Sequence, residues 1–342
     1  MRLLHVINSL DVGGAETNLL KLVIGLAERG VANEVMALRR RGELEANFRA
    51  ETNALHPLRT IDADDYDLVC GWLYQGCVIT SLLAPAHKVI WNVLHSLEPR
   101  VRESLVTLGC LNLMTSALRA RAVVANSSTA LTNHRERGLQ AEDWVLIENG
   151  VDIEWFAPDA KDATVRSALG IDAQALVMLQ VARVHPHKGH QELLKAFAKV
   201  AEAFDDVHLV LVGEGTERLR GARIHGLGLQ RDVRRYYLMS DLLINPSRTE
   251  SSPTVVLEAM SCGVPCVVTR AGASADLVGD TGFVTDFDVR AIAETLHATL
   301  MLGREALRAR GQAARARVID RFSDRRVQDA YYQFLSQTAE KS

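Results

Sequence analysis

The sequence lacks a hydrophobic run long enough to cross a bilayer, which requires about 20 apolar residues. Its longest apolar stretch, residues 105–118, is interrupted by Thr107, Asn112 and Thr115. Residues 1–7 also lack the long apolar segment and cleavage site of a signal peptide, and they predict a buried strand instead. These absences predict a cytoplasmic protein, with peripheral contact at the inner face of the membrane left open.

Cysteine and net charge are also low. The cysteines form no CxxC pair, so they predict buried free thiols rather than a disulfide framework. The formal net charge is −3, which gives no general attraction to nucleic acid or to anionic lipid. We therefore expect no nucleic-acid partner, and any basic site must be local. The five cysteines are Cys70, Cys77, Cys110, Cys262 and Cys266.

Strand-like and helix-like segments alternate along most of the 342 residues. Apolar runs of four to eight residues between helices predict parallel strands that are covered on both faces. The pattern begins again in the second half, which predicts an α/β protein with two doubly wound, Rossmann-like domains. The predicted strands are 3–7, 67–70, 89–93, 122–125, 175–182, 207–212, 241–245, 264–268 and 283–284, and the predicted helices are 16–29, 190–204, 254–261, 291–302 and 323–337.

Turn residues at 149–152 predict the domain boundary. We expect an N-terminal domain over residues 1–150, a C-terminal domain over 151–322, and a final helix within 323–342 that packs back on the first domain. Ligands of such sheets bind outside the carboxyl ends of the strands. We therefore expect the two domains to face a central cleft.

A double glycine, Gly13-Gly14, follows the first strand and opens a helix. Glycine permits close approach of the backbone to a ligand, and the free amides of a helix N-terminus favour an anion such as phosphate. A double-glycine turn without any ligand explains the pattern equally well.

A second candidate follows the first strand of the second half. Arg183 ends that strand, and Lys188 lies at a helix start, where a cation opposes the helix dipole. A guanidinium and an ammonium suit a pyrophosphate, although two solvated surface cations remain the alternative. The nearby histidines His185, His187 and His190 lack a carboxylate or cysteine that would complete a metal site, so we expect no metal.

The segment 246–260 carries the strongest pattern. Glu250 lies in a loop after a strand, and Ser252 is predicted as the N-cap with Pro253 as the first helical residue. The amides near Thr254 and Val255 are then available to phosphate.

Glu258 follows in the second turn of that helix, among apolar neighbours. A carboxylate only accepts hydrogen bonds, and burying one without partners is costly. It therefore suits the two hydroxyls of a ribose, while Glu250 suits those of a donor sugar.

Two alternatives share some of these features. Paired carboxylates occur in glycosidases, but the neighbouring cations favour a ligand that bears phosphate. A nicotinamide oxidoreductase would need the third glycine of the dinucleotide fingerprint. After Gly213-Glu214-Gly215 that position is Arg218, which disfavours this reading.

Taken together, these motifs resemble the retaining glycosyltransferases of family 4, which have the GT-B architecture. The resemblance covers nearly the whole chain and depends on the order and spacing of its motifs. The sequence departs from the family pattern at Ser251, where glycine is frequent, and at 271–273 and Asp276, which leaves the choice of donor open. The matching motifs are 13–16, His95, 149–152, Arg183 with 188–189, 213–215, 241–247, Glu250, Glu258 and 257–265.

The resemblance implies a role for each matching residue. Arg183 and Lys188 would stabilise the diphosphate leaving group without a metal, Glu250 would contact the transferred sugar, and Glu258 the ribose. The other implied contacts are the Gly14 amide and the amides of Thr254 and Val255 near phosphate, Leu227 beside the base, His95 at the sugar, and Asp11 on the acceptor side.

The implied function is transfer of a hexose from a UDP- or GDP-sugar to an acceptor hydroxyl with retention of configuration. The nucleotide sugar is a co-substrate, and no cofactor is expected. A bacterial surface polysaccharide or a lipid-linked glycan is the expected product. A non-catalytic nucleotide-sugar-binding protein and glycosylation of a small metabolite are the alternatives. Arginines near the apolar helix are candidates for lipid contact or for a solvated face: Arg100, Arg102, Arg119 and Arg121.

Overall fold

The computed structural model describes residues 1–39, 42–96, 104–159 and 163–341. The chain divides into two compact units. The first unit comprises Met1–Gly150 together with Asp324–Ser342, and the second comprises Val151–Ser323. The chain therefore leaves the first unit once and returns to it at the end.

Within the described residues, the first unit contains one seven-stranded parallel sheet of order β3-β2-β1-β4-β5-β6-β7. Its strands are β1 (Arg2–Ile7), β2 (Ala32–Ala37), β3 (Ala54–Pro57), β4 (Leu68–Trp72), β5 (Val89–Val93), β6 (Ala120–Ala125) and β7 (Ala141–Leu146). Its helices are α1 (Gly14–Ala27), α2 (Glu45–Glu51), α3 (Leu73–Leu83), α4 (Leu105–Ser116), α5 (Ser128–Glu136) and α13 (Asp324–Ala339).

The final helix α13 completes the core of the first unit. Tyr331 and Leu335 are buried in the cluster formed by β1, β4 and α1. The Tyr331 ring stacks on Trp72 with centroids 6.3 Å apart, and its hydroxyl donates to Oδ1 of Asn92 at 3.2 Å. Lys21 forms an ion pair with Asp324 at 3.1 Å at the start of the helix. Burial of aromatic and aliphatic side chains is the main stabilising term at such a contact.

The second unit repeats the architecture, with a six-stranded parallel sheet in its described residues of order β10-β9-β8-β11-β12-β13. Its strands are β8 (Leu176–Val181), β9 (Val207–Val212), β10 (Ile224–Gly226), β11 (Leu242–Asn245), β12 (Cys266–Thr269) and β13 (Phe283–Thr285). Its helices are α6 (Ala163–Ala168), α7 (His190–Ala203), α8 (Arg234–Met239), α9 (Thr254–Ser261), α10 (Ser274–Val278), α11 (Val289–Met301) and α12 (Gly303–Arg321).

Helices cover both faces of this second sheet. One apolar cluster lies between the sheet and helices that include α8, α9 and α12, and another lies between the sheet and α7 with α11. Strands buried on both sides account for the continuous apolar runs of the sequence. A buried ion pair ties α6 to the start of β11, with Arg166 Nη2 2.9 Å from Asp241 Oδ2.

The predicted strands and helices are all present, most with ends shifted by one or two residues. The bounds of β5, β9 and α9 are those predicted. The strands that escaped prediction are β2, β3, β7 and β10, and polar residues explain two of them. Asn33 and Glu34 interrupt β2, and β7 begins Ala141-Glu142-Asp143, so neither is a continuous apolar run.

The cysteines are free, as predicted, and all but the half-buried Cys110 are buried. Burial raises the pKa of Cys70 to about 12, which keeps that thiol protonated and unreactive at neutral pH.

None of the helices in the described ranges is long and apolar enough to cross a membrane. Among the arginines that are candidates for lipid contact or for a solvated face, Arg100 and Arg102 lie outside the described residues. Arg121 pairs with Glu142 at 2.7 Å and with Asp143 at 2.9 Å. Its charge is therefore largely neutralised within the protein.

Candidate functional site

Loops from neighbouring strands of the second unit meet at the carboxyl edge of its sheet. Gly189 follows β8 with a φ of 68°, and a side chain there would overlap the carbonyl oxygen of Pro246 after β11. The amide of Arg248 donates to the His187 carbonyl at 2.8 Å across the same contact. The glycine is required both by its backbone conformation and by the close approach of the two loops.

Two more glycines extend this contact along the edge. A side chain at Gly213, after β9, would overlap the carbonyl of Ala182 in the β8 loop. One at Gly272, after β12, would overlap the carbonyl of Glu250 in the β11 loop. The loops after four strands are thus packed into one surface at the end of the sheet where ligands bind in this fold class.

Two residues singled out in the sequence are in direct contact on this surface. The Nζ atom of Lys188 donates to Oε1 of Glu250 at 2.7 Å. The Lys188 side chain is 29% exposed and that of Glu250 is 10% exposed. The pair therefore lies at the surface with its carboxylate mostly shielded, where charge-assisted hydrogen bonds are strong.

A buried polar side chain forms a hydrogen bond with the backbone of Lys188. Gln180 on β8 donates from Nε2 to the Lys188 carbonyl at 2.8 Å, and the Lys188 amide donates to the His185 carbonyl at 2.9 Å. Lys188 ends a short 3₁₀ turn, Pro186–Lys188, and α7 begins two residues later. The predicted helix start at residue 190 is the one observed, and Lys188 precedes it by two residues.

Arg183 is exposed two residues beyond β8 rather than at its last residue. Within the described ranges its guanidinium has no hydrogen bond or ion pair. The pKa of His185 is lowered first by burial and then by nearby positive groups, among them Arg183 and Lys188. The two predicted cations therefore act on one histidine and form a local positive patch.

Helix α9 begins at Thr254, and Pro253 occupies the N-cap position with extended backbone angles. The prediction that Ser252 is the N-cap is wrong, because the helix starts one residue later than a Ser252 cap requires. The Val256 amide donates to the Pro253 carbonyl at 3.2 Å. The amides of Thr254 and Val255 find no acceptor in the described part of the chain, as expected for the first turn of a helix.

Glu258 is half-buried on α9, and its carboxylate has a buried partner. Tyr237 on α8 donates from its hydroxyl to Oε2 of Glu258 at 2.8 Å. The sequence gives no signal for this contact, because the two residues are 21 positions apart on different helices.

Leu227 follows β10 and is half-buried. It packs against the apolar cluster that lies between the second sheet and the helices α8, α9 and α12. Its amide donates to the Leu211 carbonyl at 2.9 Å, and its carbonyl accepts from Gln230 at 2.8 Å. The next amide, that of Gly228, donates to Thr216. These hydrogen bonds hold the backbone at Leu227 and Gly228, and the place of Leu227 beside a base remains a prediction.

In the first unit, Gly14 is exposed and is the first residue of α1. A side chain at Gly13 would overlap the Glu16 carboxylate, which turns back over the helix start, whereas one at Gly14 would meet nothing within 4 Å in the described residues. That carboxylate is the movable end of a flexible side chain, so packing does not require glycine at either position. The exposed amide of Gly14 fits one that a ligand approaches.

His95 is exposed two residues after β5. The pKa of the buried His134 is lowered to about 4, chiefly by burial and in addition by the charge of His95. This electrostatic effect indicates that His95 lies near His134. Tyr74 and His134 are hydrogen-bonded at 2.8 Å between Oη and Nε2. His95 therefore lies close to a buried polar pair, beyond the carboxyl end of β5.

Asp11 is exposed and follows Leu10, which lines the edge of a cavity of about 390 Å³. The cavity opens at the carboxyl ends of β1, β2 and β3. An ion pair on α2, Glu45 with Arg49 at 2.7 Å, supplies its charged wall. The lining residues are Leu10, Ala37, Glu45, Arg49, Leu55, His56 and Pro57.

Two family models match the chain, one in each half. A model described as Glycosyltransferase Family 4 matches residues 12–155. A model described as Glycosyl transferases group 1 matches residues 175–301. Together they include Gly13-Gly14 at the start of α1 and the segment 246–260, which contains Glu250 and Glu258.

Several curated proteins are similar in sequence. N-acetyl-alpha-D-glucosaminyl L-malate synthase of Bacillus anthracis is 31% identical over 49% of this chain and 47% of its own length. D-inositol 3-phosphate glycosyltransferase of Segniliparus rotundus is 31% identical over 71% and 58%. GDP-mannose-dependent alpha-mannosyltransferase of Mycolicibacterium smegmatis is 31% identical over 50% and 45%. The chain thus covers less than two thirds of each relative.

Solved structures share the architecture over nearly the whole chain. Anabaena HepE, crystallised with UDP and glucose, aligns with a TM-score of 0.83 at 23% identity, covering 98% of this chain and 100% of that one. Sucrose-phosphate synthase of Thermosynechococcus elongatus aligns with a TM-score of 0.82 at 19% identity and full coverage of both chains. These likenesses confirm the predicted fold class, a pair of Rossmann-like sheets of GT-B type.

Proposed function

We propose that this chain, which belongs to glycosyltransferase family 4, transfers a sugar from a nucleoside-diphosphate donor to an acceptor hydroxyl. The bond between the anomeric carbon and the diphosphate breaks, the acceptor oxygen bonds to that carbon, and the acceptor proton is released. The contact between Lys188 and Glu250 carries the proposal. It places a cation suited to phosphate beside a carboxylate suited to sugar hydroxyls, on one surface of the second unit.

Each donor group has a matching protein group in the second unit. Lys188 and Arg183 stabilise charge that develops on the departing diphosphate, which is an electrostatic contribution to catalysis. The first amides of α9, at Thr254 and Val255, bind phosphate. The carboxylates of Glu250 and Glu258 accept hydrogen bonds from the transferred sugar and from the ribose.

The first unit supplies the acceptor side and the remaining donor contacts. The Gly14 amide contacts phosphate, and His95 contacts the transferred sugar. Asp11 and the adjoining cavity bind the acceptor, since a volume of about 390 Å³ falls within the range of small-ligand sites. Leu227 of the second unit packs against the base.

The finer terms of the proposal are a UDP- or GDP-sugar, retention of configuration, and a product that is a surface polysaccharide or lipid-linked glycan. Two comparisons support the donor class: one relative is named as GDP-mannose-dependent, and one structural neighbour was crystallised with UDP and glucose. A small acceptor is the second candidate, because relatives are named for L-malate and inositol 3-phosphate.

A thermal-shift panel of UDP, GDP, ADP and their sugar conjugates tests the donor site. A ligand at 100 times its dissociation constant stabilises the folded state by about 2.7 kcal/mol, so the matching nucleotide should raise Tm by several degrees. The Lys188→Ala variant is the control and should lose the shift. If no nucleotide or conjugate raises Tm, the proposal is wrong; binding without any turnover over an acceptor panel would indicate a non-catalytic binding protein.

A further inference from the structure

Tyr237 is a fully buried aromatic residue with a polar end. It lies on α8 with an exposed fraction of 0%, and its ring packs edge-on against Phe156 with centroids 6.0 Å apart and planes at 70°. A buried tyrosine hydroxyl normally has a hydrogen-bond partner. Here the partner is Oε2 of Glu258 at 2.8 Å, on the helix that opens with the amides of Thr254 and Val255.

The backbone around Tyr237 is well anchored. The Ser240 amide donates to the Tyr237 carbonyl at 3.0 Å, and the Tyr237 amide contacts the Val233 carbonyl at 3.4 Å. Burial, and next the charge of Glu258, raise the pKa of the phenol well above its ordinary value. The hydroxyl therefore remains a proton donor throughout the neutral range, and its position is set by the core.

This donor constrains the Glu258 side chain. Glutamate has three rotatable side-chain bonds, and ordering a flexible side chain on ligand binding has an entropic cost. A carboxylate has about four acceptor positions, and the Tyr237 hydroxyl uses one of them. A fixed carboxylate can accept from two adjacent hydroxyls without that cost.

We propose that Tyr237 is a positioning residue, whose hydroxyl fixes the Glu258 carboxylate in the orientation that accepts both ribose hydroxyls of the donor nucleotide. The inference rests on the proposed function, because the role of Glu258 belongs to it. If Tyr237 had only a structural role, its substitution would lower the stability of the protein. The effect on nucleotide affinity would then be the same with and without the ribose hydroxyls.

Calorimetric titration of the full chain separates these roles. UDP, GDP and ADP are each titrated beside their 2′,3′-dideoxy counterparts into wild type and Tyr237→Phe. For the nucleotide that binds wild type best, Tyr237→Phe should weaken binding about tenfold, the size expected for a hydrogen bond to a charged group. Its dideoxy counterpart should bind both proteins equally.

A matched control is present in the first unit. Tyr66 is also buried and donates to a glutamate, Oε2 of Glu34, at 2.8 Å. Tyr66→Phe deletes the same kind of bond at a site distant in sequence from Glu258. Both Tyr66→Phe and Tyr237→Phe should lower Tm, but Tyr66→Phe should leave the affinity for the ribonucleotide unchanged.

A double-mutant cycle tests whether Tyr237 acts through Glu258. In a Glu258→Ala background, adding Tyr237→Phe should not weaken ribonucleotide binding further. Equal loss on the ribonucleotide and the dideoxynucleotide, no loss on either, or an additive loss in the cycle would each overturn the inference while the proposed function stands. Failure of wild type to bind any of the three nucleotides would overturn both.

Discussion

The Nζ atom of Lys188 lies 2.7 Å from Oε1 of Glu250, a residue 62 positions away in the sequence. The contact joins the loop after β8 to the loop after β11. In the proposed function this cation meets a phosphate and this carboxylate meets sugar hydroxyls. The two loops act as one unit, and substitutions in either should affect the same reaction.

Lys188→Ala should lower kcat by a hundredfold or more, because one preorganised electrostatic contact contributes on the order of 3 kcal/mol to transition-state stabilisation. It should also lower Tm slightly, since the mostly shielded Glu250 loses its partner. Steady-state kinetics and a melting curve measure the two effects. Lys199→Ala, on the exposed face of α7, is the control, and wild-type kcat in the Lys188 variant would contradict the assigned role.

Glu258→Ala should abolish measurable transfer at ordinary donor concentrations while the protein remains folded. The variant loses the ribose acceptor and leaves the Tyr237 hydroxyl without this partner, which costs about 1–3 kcal/mol of stability. Donor KM and circular dichroism are the measurements. Glu294→Ala, at an exposed position of α11, should leave both unchanged; an unaltered donor KM in Glu258→Ala would remove the ribose assignment.

Gly189→Ala should impair both stability and turnover. The residue has a φ of 68°, and a methyl group would overlap the Pro246 carbonyl, so the β8 and β11 loops must separate. We expect a loss of at least about 1 kcal/mol in the free energy of unfolding, together with a lower kcat because Lys188 is displaced from Glu250. Gly170→Ala, also at positive φ but with open space around it, should lose stability alone.

The first unit should lose stability in acid through Glu34. Burial alone would raise the pKa of this carboxyl group, but hydrogen bonds from Arg2, His56 and Tyr66 outweigh it and lower the pKa from 4.5 to about 2. A lowered pKa stabilises the fold above pH 4.5, and this stability is lost as the pH falls toward 2.

Glu34→Gln should therefore reduce the dependence of the unfolding free energy on pH between 4.5 and 2. Urea denaturation across that range is the measurement. Because the variant also loses a charged acceptor, it should be less stable than wild type at pH 7 by about 2 kcal/mol. Parallel pH profiles for the two proteins would show that Glu34 is not the titrating group.

Transfer should continue in excess EDTA, because Arg183 and Lys188 are assigned the charge stabilisation that a divalent cation gives in other enzymes. Activity is measured with and without chelator, after prior dialysis against it. Full loss that Mg²⁺ or Mn²⁺ restores would show that the two cations do not suffice.

Much of this architecture follows from sequence pattern because its strands are buried on both faces. Runs with a single polar residue, Asn92 or His208, still predicted β5 and β9 with their observed bounds. Strand β2 was missed because two adjacent polar residues, Asn33 and Glu34, fall within it. Local patterning is a strong signal for a mostly apolar strand and a weak signal for a strand that contains adjacent polar residues.

The site was predictable in residue type but not in contacts. Lys188 and Glu250 follow strands and carry suitable charges, so the sequence identifies them separately. Gln180 lies within a buried strand, and Tyr237 lies on a short helix. Their roles depend on partners brought near by tertiary structure, which no local pattern records.

The return of α13 to the first unit has a consequence for synthesis on the ribosome. The strands of the first sheet are all translated by Leu146, yet Tyr331 and Leu335 of their core emerge only after the second unit has been made. Until then the nascent first unit lacks the Tyr331 ring that stacks on Trp72, so its core is completed only after the second unit has been translated. A chaperone that binds apolar surface would find its target there during that interval.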